Sequence, residues 1–240
     1  MPPLDVLFLV GAALLVGSVV QGVAGFGVAL LAAPVIALVE PALIPVTLLL
    51  ATSALPVMSV VREFGDIDWQ GLAWALLGRV PGTALGTWAV VVLSARALAI
   101  VVALVVLAAV ALSLVRWQPG PTPRGLLVAG MASGAFGTST GIGGPPIALL
   151  YQRESGPRIR ATLAAYFTLG IVMSLVALSI AGRVHRDDVA TAAVLLPFLA
   201  AGFVLSNPLR RALDRGRTRA AVLTISAASA VALVLRAVAA

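Results

Sequence analysis

The sequence has no cysteine, no lysine and a single histidine, and only 10% of its 240 residues are charged. Without cysteine there is no disulfide, no thiolate metal site and no cysteine nucleophile. The one histidine, His185, sits among arginines and aspartates in a short polar loop, where it reads as a solvated side chain rather than a catalytic base or pH sensor. No acidic pairs or histidine clusters interrupt the apolar stretches, so no metal and no cofactor is implied. The phosphate-cradling pattern G-x-x-x-x-G-K-[ST] is missing, which excludes direct drive by ATP. Aromatics are 5% of the chain and do not interleave with the arginines as a nucleic-acid surface requires. The scarcity of charge excludes a soluble domain as well. Hydrophobic residues make up 61% and mean hydropathy is +1.11, a composition that water would not tolerate on a surface.

What is present is a series of eight apolar blocks, over 4–39, 41–61, 69–93, 97–115, 125–151, 161–181, 189–209 and 220–238. The expectation is an all-α polytopic membrane protein. Met1-Pro-Pro-Leu-Asp5 lacks the basic stretch of a signal peptide, so the first block is expected to stay in the protein. Trp117 to Arg124 is the Pro/Gly-rich linker, dividing a first repeat (1–116) from a second (125–240). At an offset of 116, Gly25 and Gly27 fall on Gly141 and Gly143, Pro41 on Pro157, Thr52 on Thr168, Pro81 on Pro197 and Gly86 on Gly202. The chain thus reads as two related halves forming one transport domain.

The first block holds 36 residues without a polar loop, ~54 Å as one helix against a hydrocarbon core of ~30 Å. It must bend or fold back. Glycine-rich interruptions mark where: Gly22 to Gly27 (GVAGFG) and, in the fifth block, Gly137 to Gly144 (GTSTGIGG). Broken or re-entrant hairpins there would leave three crossings per half, making the second half an inverted copy of the first. That arrangement divides the loop and terminal arginines eleven to four and places Arg62, Arg116, Arg124, Arg153, Arg158, Arg160, Arg210, Arg211, Arg215, Arg217 and Arg219 in the cytoplasm. Both termini would then be periplasmic.

Irregular backbone within hydrocarbon survives only where protein buries it or where it lines a polar cavity. Helices restarting after Gly27 and Gly144 would offer free N–H groups and a partial positive charge to an anion. The candidate site therefore comprises Gly22, Gly25, Phe26 and Gly27 of the first break and Gly141, Gly143 and Gly144 of the second, with Gln21, Thr138, Ser139 and Thr140 as polar donors. Arg79 is the one ionisable residue well inside a block. It is read either as a permanently charged partner for an anion's oxygens, or as snorkelling or pairing with a carbonyl freed by Pro81. Gly78, Gly82 and Gly86 form a small-residue face suited to helix packing, and Asp187 and Asp188 are placed to cap the helix that follows. Gly137-Thr-Ser139-Thr-Gly141 also matches the G-x-S-x-G nucleophile elbow, but that motif needs a preceding strand and a histidine base.

The early G-x-x-G-x-G break with Pro34 after it, its counterpart from Gly137 to Pro146, the mid-chain linker and the length together resemble the sulfite exporter TauE/SafE family, also called the sulfonate uptake permease family. The second break departs in reading Gly143-Gly-Pro-Pro146. The resemblance implies a bacterial inner-membrane transporter of sulfite, sulfonates such as sulfoacetate, or other small organic anions. An anion channel, a carboxylate permease and, more distantly, an intramembrane hydrolase are the alternatives; an enzyme is not expected. Partners would be a small anion, the bilayer and, optionally, further copies of the chain. No embedded carboxylate offers a proton carrier, so electrogenic export by alternating access is the simpler expectation.

Overall fold

The computed structural model describes residues 1–24, 27–114, 119–212, 231, 232 and 235. Among them helix is the only regular structure. In chain order the helices are α1 (Leu4–Ala24), α2 (Val28–Val39), α3 (Val46–Thr52), α4 (Ala54–Glu63), α5 (Trp69–Val92), α6 (Ala95–Leu114), α7 (Pro123–Thr140), α8 (Gly144–Leu150), α9 (Gly156–Ile180) and α10 (Arg186–Ala212). Five stretches are long and apolar enough to cross a membrane: Leu4–Gly22, Trp69–Val92, Ala95–Leu112, Gly156–Ile180 and Arg186–Ser206. The chain is a multi-pass membrane protein.

The eight blocks do not translate one for one into crossings. The first divides unevenly: α1 has 21 residues, ~32 Å, whereas α2 has 12, ~18 Å. The first arm thus has the length of a crossing by itself. The second block steps at Ser53 into α3 and α4, of seven and ten residues. The eighth block, Arg116, Arg215, Arg217, Arg219, and Trp117 and Gln118 of the linker lie outside the described residues, apart from three positions of that block.

Two side-by-side pairs give the fold its frame, α5 with α7 and α1 with α10. Both run parallel, and glycine sets their separation. A β-carbon on Gly78, Gly82 or Gly130 would lie 2.0–2.1 Å from the carbonyl oxygen of Leu127, Met131 or Ala75 respectively, so these backbones are in contact. In the other pair, a β-carbon on Gly202 would lie 2.2 Å from the Leu15 carbonyl oxygen.

The helix termini gather at two ends. At one, Asp68 caps α5 by accepting from the Gly71 N–H, accepts from the Tyr151 hydroxyl at 2.9 Å and pairs with Arg158 at 3.4 Å. Burial, and then the bond to Asp68, push the Tyr151 hydroxyl above its ordinary range, keeping it a neutral donor. Beside it, Arg160 Nε donates to both Glu63 oxygens at 2.9 and 3.2 Å, tying α9 to α4. At the opposite end, Arg183 donates to the Val90 and Val91 carbonyls at the close of α5. Asp188 accepts the His185 N–H at the start of α10 and the Thr47 hydroxyl of α3.

Candidate functional site

Both breaks occur where the glycines permit them. The first is closed by Gly27 at φ 124°, the second by Gly141 at φ 78°, backbone that L side chains adopt only with strain. After Gly141 the chain turns through Ile142 and Gly143 and re-enters helix at Gly144, with Pro145 and Pro146 in the first turn. The second break is held from within. Ser133 donates to the Gly143 carbonyl, and the Ile142 N–H donates to the Thr140 hydroxyl at 3.2 Å.

The two breaks line one cavity of about 70 Å³, to which Gln21, Gly27 and Val28 contribute from one side and Gly137 and Gly141 to Pro145 from the other. Thr52 and Pro56 of α3 and α4, Phe167 and Ile171 of α9, and Arg79 of α5 complete much of the wall. Since a water needs ~10–15 Å³ of such space, the cavity suits a few waters or an ion of several heavy atoms.

Arg79 is the eleventh residue of the 24-residue α5 and is only 2% exposed. It does not snorkel. Its Nη1 lies 3.5 Å from the Ser133 hydroxyl, its Nη2 3.3 Å from that of Ser174, and its Cζ 5.0 Å from the centre of the Tyr166 ring. Nε has no partner. A β-carbon at Gly170 would lie 2.3 Å from Cζ, so the glycine makes the room that the guanidinium occupies. Among the described residues only neutral groups oppose this buried cation, an arrangement that costs several kcal/mol and that an anion in the adjoining cavity would offset.

The sequence-predicted residues divide into those on the cavity wall and those away from it. Gln21, Gly27, Arg79, Gly141, Gly143 and Gly144 are on the wall. Gly25 and Phe26 lie outside the described residues. Gly22 faces α10 instead, where a β-carbon would lie 2.0 Å from the Ser206 hydroxyl. Thr138 is one step removed, its hydroxyl 2.8 Å from that of Ser174. Ser139 and Thr140 donate back to carbonyls of their own helix, Ala135 and Phe136, because the last turn of α7 directs them off the cavity.

The expected supply of free N–H groups is also thinner. The Val28 N–H donates to Gln21 Oε1 at 3.3 Å, and two prolines remove donors from the start of α8. Ser139 is not presented as a nucleophile: it lies within helix, and His185 belongs to the Asp188 end. Reading by sequence missed Ser133, Ser174, Tyr166 and Gly170. The last three recur every four residues along one face of α9, which was the available signal.

A helical membrane protein whose interrupted helices and buried cation surround a cavity of solute size has the construction of a polytopic transporter. The family described as sulfite exporter TauE/SafE matches residues 9–233, and the chain belongs to that family of transporters. No curated protein and no solved structure matches it.

Proposed function

We propose that the protein is a secondary transporter of small sulfur oxyanions, sulfite foremost, moving them across the bacterial inner membrane by alternating access around the two breaks. The observation that carries this reading is Arg79, a buried guanidinium on the wall of the cavity where the breaks meet. Its planar fork suits the oxygens of an oxyanion, and the hydroxyls of Ser133 and Ser174, which accept from its two terminal nitrogens, hold the guanidinium in place beside the cavity. Gln21, with its oxygen engaged by Val28, retains its amide N–H groups as donors. The glycines at 27, 141, 143 and 144 let the solute approach the backbone.

Inverted repeats fit the same reading. At the offset of 116, α1 corresponds to α7, α2 to α8 and α5 to α10. The α5–α7 pair is then the counterpart of the α10–α1 pair, each joining one half to the other. Arg153, Arg158 and Arg160 cluster at the Asp68 end, which we assign to the cytoplasm; the Asp188 end, where Met1 lies 3.9 Å from Asp187, is then periplasmic. A second cavity of about 260 Å³ at that end, lined in part by Arg183, His185 and Asp188, would be the outer vestibule.

The test is a binding screen on purified protein followed by transport. Sulfite should raise the Tm more than taurine or simple carboxylates do, and labelled sulfite should show counterflow in proteoliposomes. Stabilisation by carboxylates alone would favour a carboxylate permease, and flux without counterflow an anion channel.

A further inference from the structure

Among the described residues Arg79 has no counter-charge of its own. None of the ion pairs among the described residues includes it. Its polar neighbours are two neutral hydroxyls at 3.3 and 3.5 Å, beyond the usual N–H···O range of ~2.7–3.2 Å, and Nε is unpartnered. Three carboxylates at the helix ends are engaged there: Glu63 with Arg160, Asp68 with Arg158 and Tyr151, Asp188 with Thr47. The bilayer offers the guanidinium no bulk water either, since Arg79 sits near the middle of a crossing helix, is 2% exposed and opens only onto the cavity.

An alternating-access cycle passes through an occluded state twice, once loaded and once on the return. On the loaded passage the oxyanion neutralises Arg79. On an empty return the same guanidinium would be closed away from bulk water with only hydroxyls, an aromatic face and the few waters the cavity holds around it, a buried charge left without a counter-charge. We infer that the return is also anion-bound, so that the protein exchanges its sulfur oxyanion for a second small inorganic anion instead of returning empty. This deepens the proposed function and rests on Arg79 being the partner of the transported solute. The cavity of about 70 Å³ sets the class of counter-anion: an ion of the size of chloride enters, whereas a sugar acid such as gluconate does not. Exchange replaces the unassisted electrogenic export expected from the sequence.

The test uses proteoliposomes loaded with labelled sulfite and diluted into gluconate, chloride or unlabelled sulfite, with the membrane potential clamped by potassium and valinomycin. Efflux should be roughly tenfold or more faster into chloride or unlabelled sulfite than into gluconate. Equal rates in all three media would overturn exchange while leaving sulfite transport standing. Acceleration by unlabelled sulfite but not by chloride would overturn the class assigned to the counter-anion. Absence of labelled flux in every medium would overturn the transport reading and exchange together. Arg79→Gln, checked for monodispersity in detergent, should bring the chloride-to-gluconate ratio towards one, and Arg79→Lys should preserve it. A wild-type ratio in Arg79→Gln would remove the guanidinium as the cause.

Discussion

Where α5 meets α7 and α9, the chain places Arg79, Thr83, Ser133, Gly170 and Ser174; where α10 meets α1, the positions offset by 116 hold Leu195, Leu199 and Gly17, and the α9 positions map to Ala54 and Met58 in α4. Both pairs run parallel, and in both a glycine meets a carbonyl of the partner backbone. Their filling differs. Close glycine contact is common to the two and belongs to the architecture, whereas the cation, with Ser133 of its own pair and Ser174 of α9 beside it, occurs at one pair only. On the repeat proposed above, a duplicated frame would hold one charge, offset to one side of a cavity that both breaks line.

The sharpest way to break this contrast is to exchange its two central residues for alanine. Arg79→Ala should weaken sulfite binding by about 2–5 kcal/mol, read by calorimetry on protein of confirmed fold. Leu195→Ala should instead lower stability by about 2–5 kcal/mol, read as Tm in detergent, and leave Kd unchanged. Equal losses of affinity would erase the distinction between the pairs. The next effect is steric. Gly170→Ala should displace the guanidinium and weaken sulfite about tenfold, or ~1.4 kcal/mol. Gly202→Ala should separate α1 from α10 and destabilise by about 1–3 kcal/mol with affinity retained.

Smaller effects sharpen the site itself. Ser174→Ala removes a hydroxyl that touches both Arg79 and Thr138, and a loss of about 1 kcal/mol in sulfite affinity is expected. Gln21→Ala uncaps α2; stability should fall by about 1 kcal/mol, with a still smaller change in Kd. A larger fall in affinity for Gln21→Ala than for Ser174→Ala would shift the centre of the site from α5 to the first break.

Much of the frame was legible in the sequence. The apolar blocks over 69–93 and 97–115 return almost unchanged as α5 and α6, and the glycine interruptions mark real helix ends. Arg79 was visible because a charge in an apolar run is conspicuous, and the Gly78, Gly82 and Gly86 face packs as its spacing required. The surroundings of Arg79 were not legible. Ser133 and Ser174 reach it from two other helices, 54 and 95 residues away, and no local pattern says which helices become neighbours. Ser139 and Thr140 were over-read for the opposite reason: they stand beside a break in sequence, but helical rotation decides where a hydroxyl points, and carbonyls one turn back compete for it, while Thr138 turns to Ser174. The Val28 N–H illustrates the same limit, since a glutamine seven residues earlier reaches over Gly27 to take it.

The backbone contact between α5 and α7 has a mechanical consequence. Two helices seated backbone against backbone at Gly78, Gly82 and Gly130 resist sliding or swinging separately, so in the proposed cycle they would turn as a single stave carrying Arg79 with it. In that cycle hinging falls to contacts not built on glycine and backbone, such as the seam between α4 and α9, which the Glu63–Arg160 pair joins and which supplies Pro56 and Phe167 to the cavity wall. Because the chain contains no native thiol, engineered cysteine pairs can be placed one at a time: a cross-link within the stave should be silent, and one stitched across the α4–α9 seam should arrest the cycle.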